Sequence, residues 1–213
     1  MKRPTFCASL ALAAVSLLSS QVSANLFSNP GFEDPITYDG PPFVGSWEGF
    51  NGGAGSSSAN STVLPRTGAQ SLRLAITNTD VTFAGAFQDV TGLVPGTTVA
   101  FTGYHVTTTS PLDLTNELRI EWRNSTAEVG RTPNLSPIPT SQYTPFSLTA
   151  VVPAGADTAR VVYAIQTFSP EPTNNGIIYI DDVSFDVIPE PASLTLAAVA
   201  GVALLPRHRR PRR

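Results

Sequence analysis

The sequence predicts an all-β protein built as a single antiparallel β-sandwich, and three observations carry that expectation. Between residues 25 and 187 no segment repeats apolar residues at i, i+3, i+4 and i+7 over three turns. The same stretch is a series of short runs rich in Val, Thr and Phe, broken by Pro, Gly and Asn. Seven such runs separated by turn signals over about 160 residues suit two packed sheets, with no sign of a repeat or a second domain. Helices are expected only outside this body: an N-terminal signal helix and a short C-terminal apolar helix flank the sandwich.

The strands follow in order. SLRLAIT (71–77) and VTFAGAFQDV (81–90) come first. TTVAFTGYHVT (97–107) opens after a Pro95-Gly96 turn; period two puts Val99, Phe101, Gly103 and His105 on one face and Ala100, Thr102, Tyr104 and Val106 on the other. NELRIEWRN (116–124) gives Leu118, Ile120 and Trp122 a core face and Glu117, Arg119, Glu121 and Arg123 a wet one. YTPFSLTAVV (143–152), ARVVYAIQTF (159–168) and GIIYIDDVSF (176–185) complete the set. GFNGGAGSSSANS (49–61) reads as a flexible loop, since a phosphate cradle needs GxxxxGK[ST] or GxGxxG opening a helix.

Charge and residue inventory exclude several functions. From Asn25 to Val187 there are six arginines, no lysine and fifteen carboxylates, a formal charge of about −9. Nucleic acid is held by clustered Lys and Arg, so an acidic body argues against it as a partner. Cys7 is the only cysteine and falls in the leader, so the mature chain has no disulfide, thiolate metal site or cysteine nucleophile. His105 is the only histidine of the body, and its strand directs it into the core. Neither GxSxG nor HExxH is present. Carboxylate-pair glycoside hydrolysis is left, but Asp181 and Asp182 are adjacent and point to opposite faces of a regular strand. The expectation is a protein that is not an enzyme.

NLFSNPGFED at the start of the body, TGAQSLRL, FQDVTGLVPGTTVAFTGY and the closing IYIDDVSF resemble the carbohydrate-binding-module-like jelly rolls, which are related to the galactose-binding fold. The resemblance covers most of residues 25–187. It implies a structural calcium pinning the first strand to the last, with Gly31, Glu33 and Asp181 at the matching positions and a loop carbonyl near Ala69. Hard oxygen donors of this kind suit calcium. The alternative is that Glu33 and Asp181 are solvated carboxylates at strand ends. The resemblance also implies sugar rings stacked on an aromatic of the outer sheet face. Tyr104 is the first candidate and Trp47 the second, the latter divided between ligand contact and core. Arg119 and Glu121 would hydrogen-bond sugar hydroxyls beside Tyr104 if their strands are neighbours; otherwise the charge strip is a solvated face. Gln166 and Tyr179 are lesser candidates for the same surface. Trp122 shares a face with Leu118 and Ile120 and is assigned to the core.

The two ends are the most specific part of the sequence. Residues 1–24 have the form of a secretory signal peptide: Lys2 and Arg3, an apolar core, then Val22-Ser23-Ala24. Residues 188–213 hold Pro189-Glu190-Pro191, an apolar run over 192–205 and an arginine-rich end. The fourteen residues of this run would span about 21 Å as a helix, against about 30 Å of hydrocarbon. This layout is similar to the PEP-CTERM sorting signal, although Pro206 and Pro211 interrupt its arginine cluster. The resemblance implies an exosortase as processing partner and a transient inner-membrane contact through residues 192–205. Release to the cell surface or extracellular matrix would follow. An ordinary tail anchor is the alternative.

The expectation for the whole chain is an exported bacterial protein that binds, or is embedded in, extracellular polysaccharide. A structural or adhesive protein without a sugar site, and a polysaccharide-cleaving enzyme, stand as alternatives.

Overall fold

The computed structural model describes residues 24–77, 80–110, 112–168 and 175–189. The two expected flanking helices, with Glu190 and Pro191 of the sorting motif, lie outside the described residues; Pro189 is exposed directly after the last strand.

Ten strands form the domain: β1 Glu48–Asn51, β2 Ser56–Ser61, β3 Ser71–Ile76, β4 Phe83–Thr91, β5 Thr98–Thr107, β6 Thr115–Asn124, β7 Ala127–Arg131, β8 Thr144–Val151, β9 Thr158–Gln166 and β10 Gly176–Ile188. They make two five-stranded sheets, β1-β4-β9-β6-β7 (sheet A) and β2-β3-β10-β5-β8 (sheet B), with every strand-to-strand ladder antiparallel. The result is an antiparallel β-sandwich, as the periodicity predicts.

Alternation explains the core. Sheet A turns Leu118, Ile120, Val161, Tyr163 and Ile165 inward, and sheet B meets them with Leu72, Leu74, Phe101, Ile178 and Ile180, all at most 1% exposed. Trp122 is in this core, as expected. The N-terminal segment adds Phe27 and Phe32, whose rings pack 4.8 and 5.0 Å from Trp47. Asn25 ties that segment to the last strand, its Nδ2 donating to the Val183 carbonyl while its Oδ1 accepts from Phe185 N–H.

The structure departs from the sequence reading over 49–61, which is not a loop. Most of β1 and all of β2 fall there, in different sheets. Six small and polar residues of β2 pair with β3 through their backbones, so the strand forms without an apolar side-chain pattern. Ser58 is buried, and its hydroxyl donates to the carbonyls of Phe50 and Gly85, joining the edge of sheet B to sheet A.

The second departure is at Asp181 and Asp182. A β-bulge shifts the register between Asp181 and Ser184, and Asp182 takes φ = 49°. The extra residue cancels the expected alternation. Both carboxylates therefore engage one loop: Asp181 Oδ2 accepts from the N–H groups of Arg66 and Thr67, while Asp182 accepts from the Thr67 hydroxyl and pairs with the Arg66 guanidinium.

Candidate functional site

The outward face of sheet A is assembled by register. Phe87 of β4 lies opposite Val162 of β9, which lies opposite Arg119 of β6. In the next outward row Asp89, Arg160 and Glu121 line up in the same way. Phe50 of β1 pairs with Gly85, which has no side chain at a point where a Cβ would come within 2.3 Å of Phe50 Cζ. Glycine at this position lets the phenyl ring lie across the strand.

Two kinds of surface then meet. On one side four phenyl rings run in sequence, with centroids 6.1 Å apart from Phe83 to Phe50, 6.1 Å from Phe50 to Phe87 and 5.0 Å from Phe87 to Phe43. On the other side the charged groups bind one another. Arg160 grips Asp89 with two bonds of 2.7 and 2.9 Å. Arg119 Nε and Arg123 Nη2 each donate to Glu121 at 2.9 Å. Glu117 accepts from Arg119, Asn134 and Gln166 Nε2. Arg160 joins the two surfaces, its guanidinium carbon lying 4.1 Å from the Phe87 centroid and 4.6 Å from that of Phe43.

A hollow of about 170 Å3 opens where they meet. Phe50 and Phe87 form one wall, Arg119, Glu121 and Arg160 the other, and Val162 lines it too. Burial by itself disfavours the Glu121 anion, but the donors of Arg123 and Arg119 outweigh burial and hold its carboxyl below the usual range. The hollow thus offers apolar ring surface beside a fixed array of donors and acceptors. Ion pairs this shielded add little net stability, but they hold the polar groups in one geometry before any ligand arrives.

The sequence-predicted ligand residues separate. Arg119 and Glu121 line the hollow. Tyr104 does not join them, because β5 belongs to sheet B and β6 to sheet A, so the two outward faces look in opposite directions. Tyr104 is moreover covered by Arg66, whose guanidinium carbon stands 3.5 Å from the ring centroid. Trp47 is a core residue, 2% exposed, with its indole N–H donating to the Asn29 carbonyl; ring stacking on a ligand is closed to it. Gln166 joins the charged network, whereas Tyr179 is buried in sheet B. Sequence reasoning missed Phe43, Phe50, Phe87, Asp89 and Arg160. A signal for two of them was available, since period two in FAGAFQDV puts Phe83, Gly85, Phe87 and Asp89 on one face.

Gly31, Glu33 and Asp181 do converge. A Cβ built on Gly31 would lie 3.9 Å from Asp181 Oδ1 and 4.0 Å from Glu33 Oε1. Glu33 also accepts from the N–H groups of Ala69 and Gln70, which brings the 66–70 loop to the same point. Asp181 is fully buried, and burial raises its pKa against the opposing pull of the Arg66, Asp182 and Thr67 N–H groups. Two carboxylates facing across a glycine backbone are hard oxygen donors of the kind calcium takes; the 66–70 loop meets them with backbone N–H groups, Arg66 and Thr67 donating to Asp181 and Ala69 and Gln70 to Glu33. Among the described residues no group of three or more His, Cys, Asp or Glu side chains converges on a possible metal position, so carbonyl oxygens would have to complete such a site.

Solved structures that superimpose on this architecture include carbohydrate-binding modules and a domain of a phage tailspike. A CBM4 carbohydrate-binding module superimposes with a TM-score of 0.55 at 16% identity, over 76% of this chain and 99% of the module. The fold is the carbohydrate-binding-module jelly roll. The xylan-binding CBM22-1 domain of Paenibacillus barcinonensis Xyn10C matches with a TM-score of 0.53 at 13% identity, over 79% of this chain and 97% of that domain. The enzymatically active domain of bacteriophage CBA120 tailspike protein 4 matches with a TM-score of 0.58 at 18% identity, over 77% of this chain but only 21% of the tailspike chain. No protein-family model matches the sequence, and no curated protein matches it.

Proposed function

We propose that this protein binds a neutral polysaccharide without cleaving it, using the outward face of sheet A. The observation that carries the proposal is the hollow with Phe50 and Phe87 on one wall and Arg119, Glu121 and Arg160 on the other. A pyranose has an apolar C–H face and an equatorial rim of hydroxyls, and this pair of walls complements both. Each arginine at the hollow already holds a carboxylate, which favours uncharged hydroxyls over an anionic sugar. The carbohydrate-binding-module fold supports the reading as analogy, since fold alone does not specify function. A glycan array probed with wild type and Phe50→Ala tests it: neutral polysaccharides retained by the first and not by the second are expected, and equal retention would refute it.

We further propose that Glu33, Asp181 and the backbone carbonyls of Gly31 and the loop near Ala69 hold a structural calcium. The ion would cross-link the N-terminal segment, that loop and β10, acting on stability rather than on the sugar site.

Export and sorting complete the reading. The signal peptide would deliver the body across the inner membrane, the apolar run would hold it there briefly, and an exosortase would cut at Pro189-Glu190-Pro191. The protein would then join the extracellular matrix. Mass spectrometry of the protein recovered from cells should find chains ending near this motif; an intact arginine terminus on every molecule would contradict sorting.

A further inference from the structure

The end of the sandwich where the last strand stops is apolar and uncharged. Ile188 of β10, Thr98 of β5 and Val151 of β8 lie opposite one another and form the terminal row of those three strands. The turn that opens β5 packs beside them, Gly96 N–H donating to the Val152 carbonyl at 2.8 Å and Val152 N–H to the Thr97 carbonyl at 2.9 Å. This turn presents Val94 at 63% exposure, next to Val151 at 57% and Ile188 at 41%. Pro95 and Pro189 are exposed as well, and both line a depression here of about 480 Å3. Residues 92–98, 150–156 and 187–189 contain no ionisable side chain, although the body as a whole is acidic. Asp157 and Asp186 stand at the rim, the first accepting from Ser125 N–H and the Thr158 hydroxyl, the second from the Ser184 hydroxyl. An exposed apolar patch rimmed by polar groups marks a surface that meets a partner or a membrane.

Chain length decides which of these it meets. Four residue steps separate Ile188 from Ala192, the first residue of the apolar run, and fully extended they reach only about 14 Å. The headgroup layer is itself about 6 Å deep on each side of the hydrocarbon. With Ala192 at the hydrocarbon boundary, Ile188 is therefore held within about 10 Å of the headgroup surface. The domain has no room to swing clear of the bilayer, and the end that carries Ile188 is the part nearest the tether.

Resting on the membrane-tail reading above, we propose that the end of the sandwich formed by Val94, Val151 and Ile188 docks on the lipid surface while the tail is inserted. The three aliphatic side chains settle among the headgroups, an interfacial apolar contact that adds to the hold of the tail. An acidic surface is kept off by anionic lipid, so the uncharged end is the one that can approach. Thr98 alternates with the buried Val99 and Phe101, so its row points to the outward side of sheet B. The outward face of sheet A is on the far side of the sandwich and stays open to the matrix.

Fluorescence quenching on the full chain, reconstituted from detergent into phosphatidylcholine vesicles with lipid spin-labelled near the headgroup, tests this. In a Cys7→Ser background, a fluorophore is attached through Val94→Cys, Val151→Cys, Ile138→Cys or Val202→Cys, one at a time, and each labelled protein is checked for an unchanged melt. Ile138 controls for exposure alone: it is 81% exposed and lies by the Thr107 end of β5, about 30 Å along the strand from Thr98. The Val202 position reports on the tail itself. Quenching at the Val94, Val151 and Val202 positions, roughly threefold or more above that at Ile138, is the result expected of side chains lodged at the interface. Quenching at Val202 alone would overturn the docking surface and leave the tail reading intact. Equal quenching at Ile138 would overturn it too, since the body would then adsorb without a preferred end. No quenching at Val202 would remove the tail reading, and the docking surface with it.

Discussion

Arg66 lies over Tyr104, its guanidinium carbon 3.5 Å from the ring centroid, and is held there by its ion pair with Asp182. The contact makes Tyr104 a support for the 62–70 loop. A residue that reads in sequence as an exposed platform for a ligand is thus already occupied by its own chain. Tyr104→Ala should lower the melting temperature by a few degrees, from a cation–π loss of about 1 kcal/mol, and leave glycan retention unchanged. Retention that fell while the melt stayed constant would return Tyr104 to the binding site.

Phe87 is predicted to behave in the opposite way. It is half-buried on the surface of sheet A, and its ring walls the hollow. Truncation to Ala should weaken glycan binding about tenfold, the equivalent of about 1.4 kcal/mol of lost ring contact, as read by titration calorimetry.

Gly85 tests the same wall from beneath. A methyl group there would meet Phe50 Cζ at 2.3 Å and the Tyr163 carbonyl at 2.9 Å, so Gly85→Ala must displace the Phe50 ring. Binding should fall to the level of Phe50→Ala, and the two substitutions together should cost no more than either alone, as coupled neighbours do.

Acid should destabilise the fold through His105. The imidazole is 1% exposed, its Nδ1 lies 2.7 Å from the Tyr163 hydroxyl, and burial lowers its pKa to about 4. Between pH 6.5 and 4 the unfolded chain therefore takes up a proton here that the folded chain refuses. Stability is complete above pH 6.5 and declines by on the order of 3 kcal/mol as pH falls to 4. Asp181, with its raised pKa, works in the opposite sense on acidification. Comparing melts of wild type and His105→Gln across this range isolates the histidine: the decline should shrink in the variant, and identical slopes would refute the assignment.

Calcium should raise the melting temperature. At a hundredfold excess over its dissociation constant the ion would add about 2.7 kcal/mol, or several degrees for a domain of this size. Scanning calorimetry with calcium or a chelator should show the difference in wild type and lose it in Glu33→Gln. No response to chelator would remove the ion from the account.

Much of the fold is legible in the sequence because seven strands carry an apolar alternation that follows from one buried face. In β6 the alternation even identifies Arg119 and Glu121 as outward neighbours. The strands it hides are at or near the edges. β2 is Ser56–Ser61, which pairs by backbone alone, and β7 is exposed along most of its length. Side-chain periodicity has nothing to register in either. The candidate site is half legible for a different reason. Period two assigns a residue to a face but does not say which sheet a strand joins, so Tyr104 and Arg119 look like neighbours until β5 and β6 prove to lie in opposite sheets. Phe43 and Phe50 stay hidden because one sits on a loop segment and the other on a four-residue strand beyond the reach of periodicity. The bulge at Asp182 is invisible for a related reason, since a single inserted residue leaves the composition of the strand unchanged.

The central claim is that the phenylalanine and arginine face of sheet A holds sugar. Affinity electrophoresis through gels containing individual neutral polysaccharides tests it most directly, run on wild type beside Phe50→Ala and Phe87→Ala. Retardation of the wild type by at least one polymer, lost in both variants while their melting transitions persist, is the predicted result. Free migration of the wild type in every gel, or equal retardation of all three proteins, would contradict it.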